Sequence, residues 1–147
     1  MSRSLIVMKA RIKLNEGVSF VAESGSGHAV ITDGAPDAGG RNLGPRPMEL
    51  LLMGTGACSA FDVVLILRRG RQDIRDCVVE LEATRAETDP KVFTHIHMHY
   101  IVTGRQLDPD RVSRAIQLSS EKYCSASAML AKSATLTHDF ELVEVEA

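Results

Sequence analysis

Two cysteines carry most of the chemistry open to this chain: Cys58, inside a long apolar run, and Cys124, just ahead of Ser125-Ala126-Ser127-Ala128-Met129-Leu130. The thiolate is the nucleophilic form of cysteine, so the question for each is what would favour its ionisation. Cys124 opens a helix, where unsatisfied N–H groups and the positive end of the dipole both favour thiolate. Cys58 falls in mid-helix, where apolar surroundings disfavour the charged form, and it needs a nearby cation to become a nucleophile. Either cysteine has an inert alternative as a small buried hydrophobe. Cys77 takes that alternative, because it alternates onto the strand face of Val79 and Leu81. The three cysteines form neither a CxxC pair nor a zinc-knuckle pattern, so a disulfide scaffold or a structural zinc site is not expected.

Asp62 lies one helical turn beyond Cys58 on the same face. Ionised, it would disfavour the thiolate unless a cation were shared between them; it is either a site residue or a buried structural acid that must find a partner. His95, His97 and His99 alternate with Ile96, Met98 and Tyr100, which makes them a polar strand face first and a zinc or nickel chelate second. No dinucleotide-binding glycine motif, P-loop or nucleophile elbow is present; Glu23-Ser24-Gly25-Ser26-Gly27 reads as a turn.

The elements that must position these residues follow from periodicity. Ile6 to Leu14 alternates as a half-buried strand, Asn15-Glu16-Gly17 turns into Val18 to Glu23, and Ser24 to Gly27 leads to a short strand from His28 to Asp33. Gly34 to Arg46 is expected to be a long mobile loop. Pro47 suits the first position of a helix that runs to Arg69, with Gly70 to stop it. Asp76 to Ala83 and Val92 to Val102 form a hairpin around Asp89-Pro90. Asp108-Pro109 caps a helix to about Lys122, a shorter helix covers Ser125 to Ala134, and a strand from Leu136 to Val145 closes the chain. The order βββ-α-ββ-α-α-β predicts one α+β domain over residues 1–147, with antiparallel sheets and no parallel βαβ unit.

The helix from Pro47 is apolar almost all the way round, unlike an amphipathic surface helix. A bilayer would account for that, but Asp62 at mid-membrane would cost about 2.5–3.5 kcal/mol, and nothing else in the chain looks membranous. Burial on both sides in soluble protein is the better expectation, with a sheet on one face and a second subunit on the other. The chain has 147 residues, 44% hydrophobic and 24% charged, with a net charge of -2, so it offers no general attraction to nucleic acid or anionic lipid. Its first residues hold only a short apolar run before Lys9, too little for a signal peptide, and the cytoplasm is the expected location.

The run Gly44-Pro45-Arg46-Pro47-Met48-Glu49-Leu50-Leu51-Leu52-Met53-Gly54-Thr55-Gly56-Ala57-Cys58, followed much later by Tyr123-Cys124-Ser125, resembles the OsmC/Ohr family of osmotically induced and organic hydroperoxide resistance proteins. The resemblance covers nearly the whole chain. It implies an intertwined homodimer with antiparallel sheets wrapped around paired central helices. It also implies a thiol peroxidase in which Cys58 attacks a small hydroperoxide, becomes sulfenic acid and is resolved by Cys124. No bound cofactor or metal is implied, only an external thiol or dithiol reductant. Such a disulfide needs Cα atoms about 4.4–6.8 Å apart.

Hydroperoxide-reducing members pair the reactive thiolate with an arginine near the first strand turn and a carboxylate just after the helix's proline. Here those places read Asn15-Glu16-Gly17 and Met48, and Glu49, one position late, lies about 180° around a straight helix from Cys58. Arg46 and Arg11 are the candidate cations. This chain therefore looks like a divergent OsmC-like branch. The alternative within the same resemblance is a non-catalytic dimer that binds a small apolar ligand at the subunit interface.

Overall fold

The computed structural model describes residues 7–146; Ile6, where the sequence opens its first strand, lies outside them. The chain divides into two compact units, one up to Leu51 and one from Leu52. The first holds a three-stranded antiparallel meander of β1 (Ala10–Glu16), β2 (Ser19–Ser24) and β3 (Ala29–Thr32), in that order. Gly17 turns β1 into β2 at φ +60°, a conformation in which glycine meets no Cβ penalty. β1 is exposed along its whole length, Ile12 and Leu14 included, so the half-buried strand expected from its alternation lacks a cover within its own unit.

The segment after β3 is not the unstructured loop its composition suggests. The buried carboxylate of Asp33 accepts from the backbone N–H groups of Gly34 (2.7 Å), Arg41 (3.0 Å) and Leu43 (3.2 Å), gathering the glycine-rich stretch around one acceptor. The Arg41 N–H above all, with those of Gly34 and Leu43, holds the Asp33 carboxyl below its usual range against the opposing effect of burial.

Helix α1 (Pro47–Arg69) has the bounds its proline and length predict. At its start Glu49 reaches back to accept from the backbone N–H of Arg46 at 2.9 Å, satisfying one orphan donor as a capping box does. At its end the left-handed residue is Arg71, at φ 60°, and not Gly70. Arg71 N–H donates to the Arg68 carbonyl and Gln72 N–H to that of Leu67, which is the Schellman pattern. Gly70 instead presents its carbonyl to Arg111 at 3.1 Å.

In the second unit β4 (Asp73–Arg85) and β5 (Phe93–Arg105) form the expected hairpin. Inward-facing Ile96, Met98, Tyr100 and Val102 are buried, with Val63 and Leu67 of α1 and Val112, Ala115 and Ile116 of α2 (Pro109–Leu118). Asp108 caps α2 through the Asp110 N–H at 2.9 Å. β6 (Thr135–Glu144) departs from the expectation: it pairs with β5 in parallel, from His95↔Thr135 to Gly104↔Glu144. The sheet is therefore mixed. Alternation specifies which face a residue takes but not strand direction, and the two helices between β5 and β6 carry the chain back to the same end of the sheet.

The helix expected to reach Lys122 keeps α geometry only to Leu118, then widens into a π-helical turn, Ser119–Tyr123. α3 (Ser125–Leu130) is shorter than expected and ends in a turn before β6.

Only one stripe of α1 is buried, namely Thr55, Gly56, Ser59, Val63 and Leu67. Met53 (57%) and Phe61 (68%) are exposed on other faces. By length and composition α1 is the one helix among the described residues apolar enough to cross a membrane.

Candidate functional site

The second unit brings Cys58, Asp62 and Cys124 together: the two sulfurs and a carboxylate oxygen of Asp62 all lie within 4.8 Å of one another. α1 supplies Cys58 and Asp62 one turn apart. The π-helical turn supplies the third position, because the widened turn sets Cys124 at the N-cap of α3. A single wide turn of this kind re-aims whatever follows it.

Cys124 is 2% exposed. Its Sγ accepts from the Ser127 backbone N–H at 3.4 Å and from Ser127 Oγ at 3.0 Å. The thiolate expected at the helix start is not what the site favours. Burial pushes the Cys124 thiol above its usual value, the neighbouring Cys58 adds to the shift, and the two Ser127 donors offset it only in part. The helix end is present, but desolvation outweighs it. Cys77 behaves as its strand position predicts; burial, with Asp76 adjacent, raises its thiol too.

Asp62 finds its partner among hydroxyls. Ser119 Oγ donates to Asp62 Oδ2 at 3.1 Å, Ser59 Oγ lies 3.0 Å from Ser119 Oγ, and Ser59 is also bonded to the Tyr100 hydroxyl. Each hydroxyl has one proton. With the Ser119 proton given to Asp62, Ser59 donates to Ser119 and Tyr100 to Ser59, so the chain runs one way, toward the carboxylate. Burial raises the Tyr100 phenol, against the lowering effect of Ser59, and keeps it a donor. Within this unit, no described residue forms an ion pair with Asp62.

The sequence did not point to Ser59, Ser119 or Tyr100 as site residues: the serines carry no periodic signal, and the alternation that turns Tyr100 inward says nothing of its hydroxyl's partner. Ser127 was legible in principle, as the third residue after an N-cap. The candidate cations are engaged within the first unit. Arg46 Nη1 lies 3.4 Å from Glu49, and Arg11 lies 4.0 Å from Glu23. Glu49, held below the usual carboxylate range by the Arg46 backbone N–H first and its guanidinium second, is a helix-start acid.

The histidine strand forms the polar face expected of it, paired to β6 in a ladder. Asp139 Oδ1 bonds both His97 Nε2 (2.9 Å) and His99 Nδ1 (2.7 Å), and Glu141 bonds His99 Nε2 at 3.2 Å. Asp139 and then Glu141 raise the His99 pKa above 6.5, and His99 with His97 lower that of Asp139 below 3.8.

A group whose pKa differs between the folded and unfolded chain makes stability depend on pH. Stabilisation through protonated His99 is complete below pH 6.5 and is lost as pH rises through its elevated folded value. That through Asp139 is complete above pH 3.8 and lost as pH falls through its depressed one. Thermal melts between about pH 5 and 8 should therefore show a melting temperature that declines on the alkaline side, and Asp139→Asn should flatten that decline. An unchanged slope in the variant would refute this account.

Residues 39–139 match the model of a family described as OsmC-like protein. Over 136 residues the chain is 51% identical to Protein YhfA of Escherichia coli strain K12, covering 92% of this chain and 98% of that protein. A protein from Aquifex aeolicus VF5, described as hypothetical, superposes with a TM-score of 0.85 at 30% identity, over 97% of this chain and 100% of its own. The organic hydroperoxide resistance protein OhrB of Bacillus subtilis superposes at 0.63 with 18% identity, over 94% and 100%, a likeness of fold.

Proposed function

Since the chain belongs to the OsmC-like protein family, we propose that it reduces hydroperoxides, organic ones foremost, with Cys58 as the attacking residue and Cys124 as the resolving one. The observation that supports this most is the approach of the two sulfurs to within 4.8 Å from separate elements. Little movement then separates them from a disulfide. In the first step the Cys58 thiolate attacks an oxygen of the O–O bond; that bond breaks, the alkoxide leaves and takes up a proton as alcohol, and Cys58 becomes a sulfenic acid. In the second the Cys124 sulfur attacks the Cys58 sulfur; the S–O bond breaks, and hydroxide leaves with the Cys124 proton as water. An external thiol or dithiol then returns two electrons, with no bound cofactor needed.

The raised Cys124 thiol supports this division of labour. A residue kept protonated is a poor first attacker, but it carries the proton that the departing hydroxide requires. The exposed apolar faces of α1 and β1 support a homodimer in which a second copy covers them, and such a copy would account for an apolar helix without a membrane.

The test is stoichiometric. Reduced protein treated with one equivalent of cumene hydroperoxide should yield one equivalent of cumyl alcohol, and treated with hydrogen peroxide should consume one equivalent of it. It should lose the mass of two hydrogens and show a Cys58 to Cys124 linkage on peptide mapping. If both cysteines stay reduced while the denatured chain oxidises readily, the peroxidase reading falls, and a dimer binding a small apolar ligand takes its place.

A further inference from the structure

The cluster at Cys58, Asp62 and Cys124 holds three groups that each become anions, drawn within 4.8 Å of one another, with no cation from the described residues of the same unit paired to Asp62. Such crowding is unfavourable unless protons remain on the thiols or a positive charge enters. The donor types are selective. Two thiolates and one carboxylate form a borderline-soft set that suits zinc and excludes calcium and magnesium, which take oxygen ligands.

Distances agree. In a tetrahedral zinc site with Zn–S near 2.3 Å and Zn–O near 2.0–2.2 Å, neighbouring ligand atoms stand roughly 3.5–3.8 Å apart, so donors within 4.8 Å of one another need to close by about 1.3 Å at most. Support behind the ligands is also in place. Ser119 orients Asp62 and Ser127 orients Cys124, at 3.1 and 3.0 Å, in the manner of the outer partners that fix metal ligands. Three ligands leave the fourth position to water.

We propose that the reduced chain binds one zinc-class divalent cation through Cys58 Sγ, Asp62 and Cys124 Sγ, and that the bound ion holds the thiol pair out of its reaction with peroxide. Each thiol gives its proton to solvent as the ion enters, so affinity rises with pH. The sulfur lone pairs are then committed to the metal. This regulation rests on the peroxidase reading of the same pair, but the binding itself needs no peroxide chemistry. The histidines are a separate matter: a metal on His95, His97 and His99 would have no sulfur ligand.

The experiment is a cobalt(II) titration of the reduced full-length protein, followed by displacement with zinc. The expected result is one cobalt per chain, with a sulfur-to-cobalt charge-transfer band and the visible bands of tetrahedral cobalt, abolished by one equivalent of zinc. Cys58→Ser and Cys124→Ser should remove the charge-transfer band or halve it. Asp62→Asn should weaken binding at least tenfold, and His97→Gln with His99→Gln should leave the band unchanged. Because a cysteine variant can lose its fold, the wild type oxidised to the disulfide serves as a second control and should bind no cobalt at this site.

Absence of a charge-transfer band in the reduced wild type overturns the proposal, as does equal affinity in Asp62→Asn. Peroxide turnover is measured apart, with chelator and then with zinc. Cobalt bound through sulfur without peroxide turnover would sink the peroxidase reading alone; turnover without sulfur-bound cobalt would sink this one alone. Turnover unaffected by stoichiometric zinc would overturn the regulatory half.

Discussion

Cys58→Ser will lower hydroperoxide turnover at least about a thousandfold, because removing a covalent nucleophile removes the reaction path and does not merely slow it. Cys124→Ser will behave differently, and the difference is the informative part. With Cys58 intact the first turnover should survive, releasing one equivalent of alcohol and leaving a sulfenic acid that dimedone captures. Without its resolving partner that species should persist, pass to sulfinic acid under excess peroxide, and regain activity only as fast as an external thiol can reach it. The Cys124 substitution also tests the meaning of its raised thiol. If Cys124 were the first attacker, Cys124→Ser would abolish the burst and Cys58→Ser would keep it. Rapid-mix measurement of alcohol release on both variants decides between the two orders, and equal bursts in both would overturn the assignment altogether.

Phe61→Glu will dissociate the proposed dimer. Phe61 is 68% exposed on a helix whose opposite stripe is already committed to the core of its own unit. In a symmetric pair the change is counted twice. Loss of about 1.5–3 kcal/mol of apolar burial at each copy should weaken association on the order of a hundred- to ten-thousandfold, before the cost of placing a carboxylate there is added. Sedimentation velocity at micromolar protein should show wild-type dimer and variant monomer, with circular dichroism confirming that the variant still folds. A wild-type monomer, or an undiminished dimer in the variant, would refute the interface and leave the apolar faces of α1 and β1 without their proposed cover.

The parts of this structure that a sequence can display are those governed by periodicity and by local turn chemistry. Pro47 and the apolar run after it gave α1 its full length, Cys77, Val79 and Leu81 marked one face of β4, and the alternation of His95 to Tyr100 placed the histidines outward. Three features were hidden for physical reasons. The direction of β6 was hidden because a strand read in either sense alternates alike. Arg71, not Gly70, takes the left-handed position because the closing bonds to the Arg68 and Leu67 carbonyls come from the N–H groups of Arg71 and Gln72, which sets the turn one residue past the glycine. The raised Cys124 thiol depends on how much protein surrounds the sulfur, a tertiary quantity, whereas the helix end that argues the other way is local and visible. For the candidate site, the two cysteines were legible from their setting and the family resemblance. The hydroxyl chain that joins Ser59 to Ser119 across 60 positions was not.

That hydroxyl chain bears on a competition that every sulfenic acid faces. Ser59 is the immediate neighbour of Cys58, and Ser119 opens the turn that ends at Cys124, so the 3.0 Å bond between them acts as a gauge on the sulfur separation. The long loop between the two cysteines is closed during folding, before any oxidant arrives. Expressed as effective molarity, a thiol held this way can outrank any freely diffusing one by orders of magnitude, since well-oriented intramolecular partners reach roughly 10⁵–10⁸ M. On the proposed cycle the second cysteine therefore wins the race against both further oxidant and stray thiols. On that cycle the advantage draws on two serines in which no bond is made or broken.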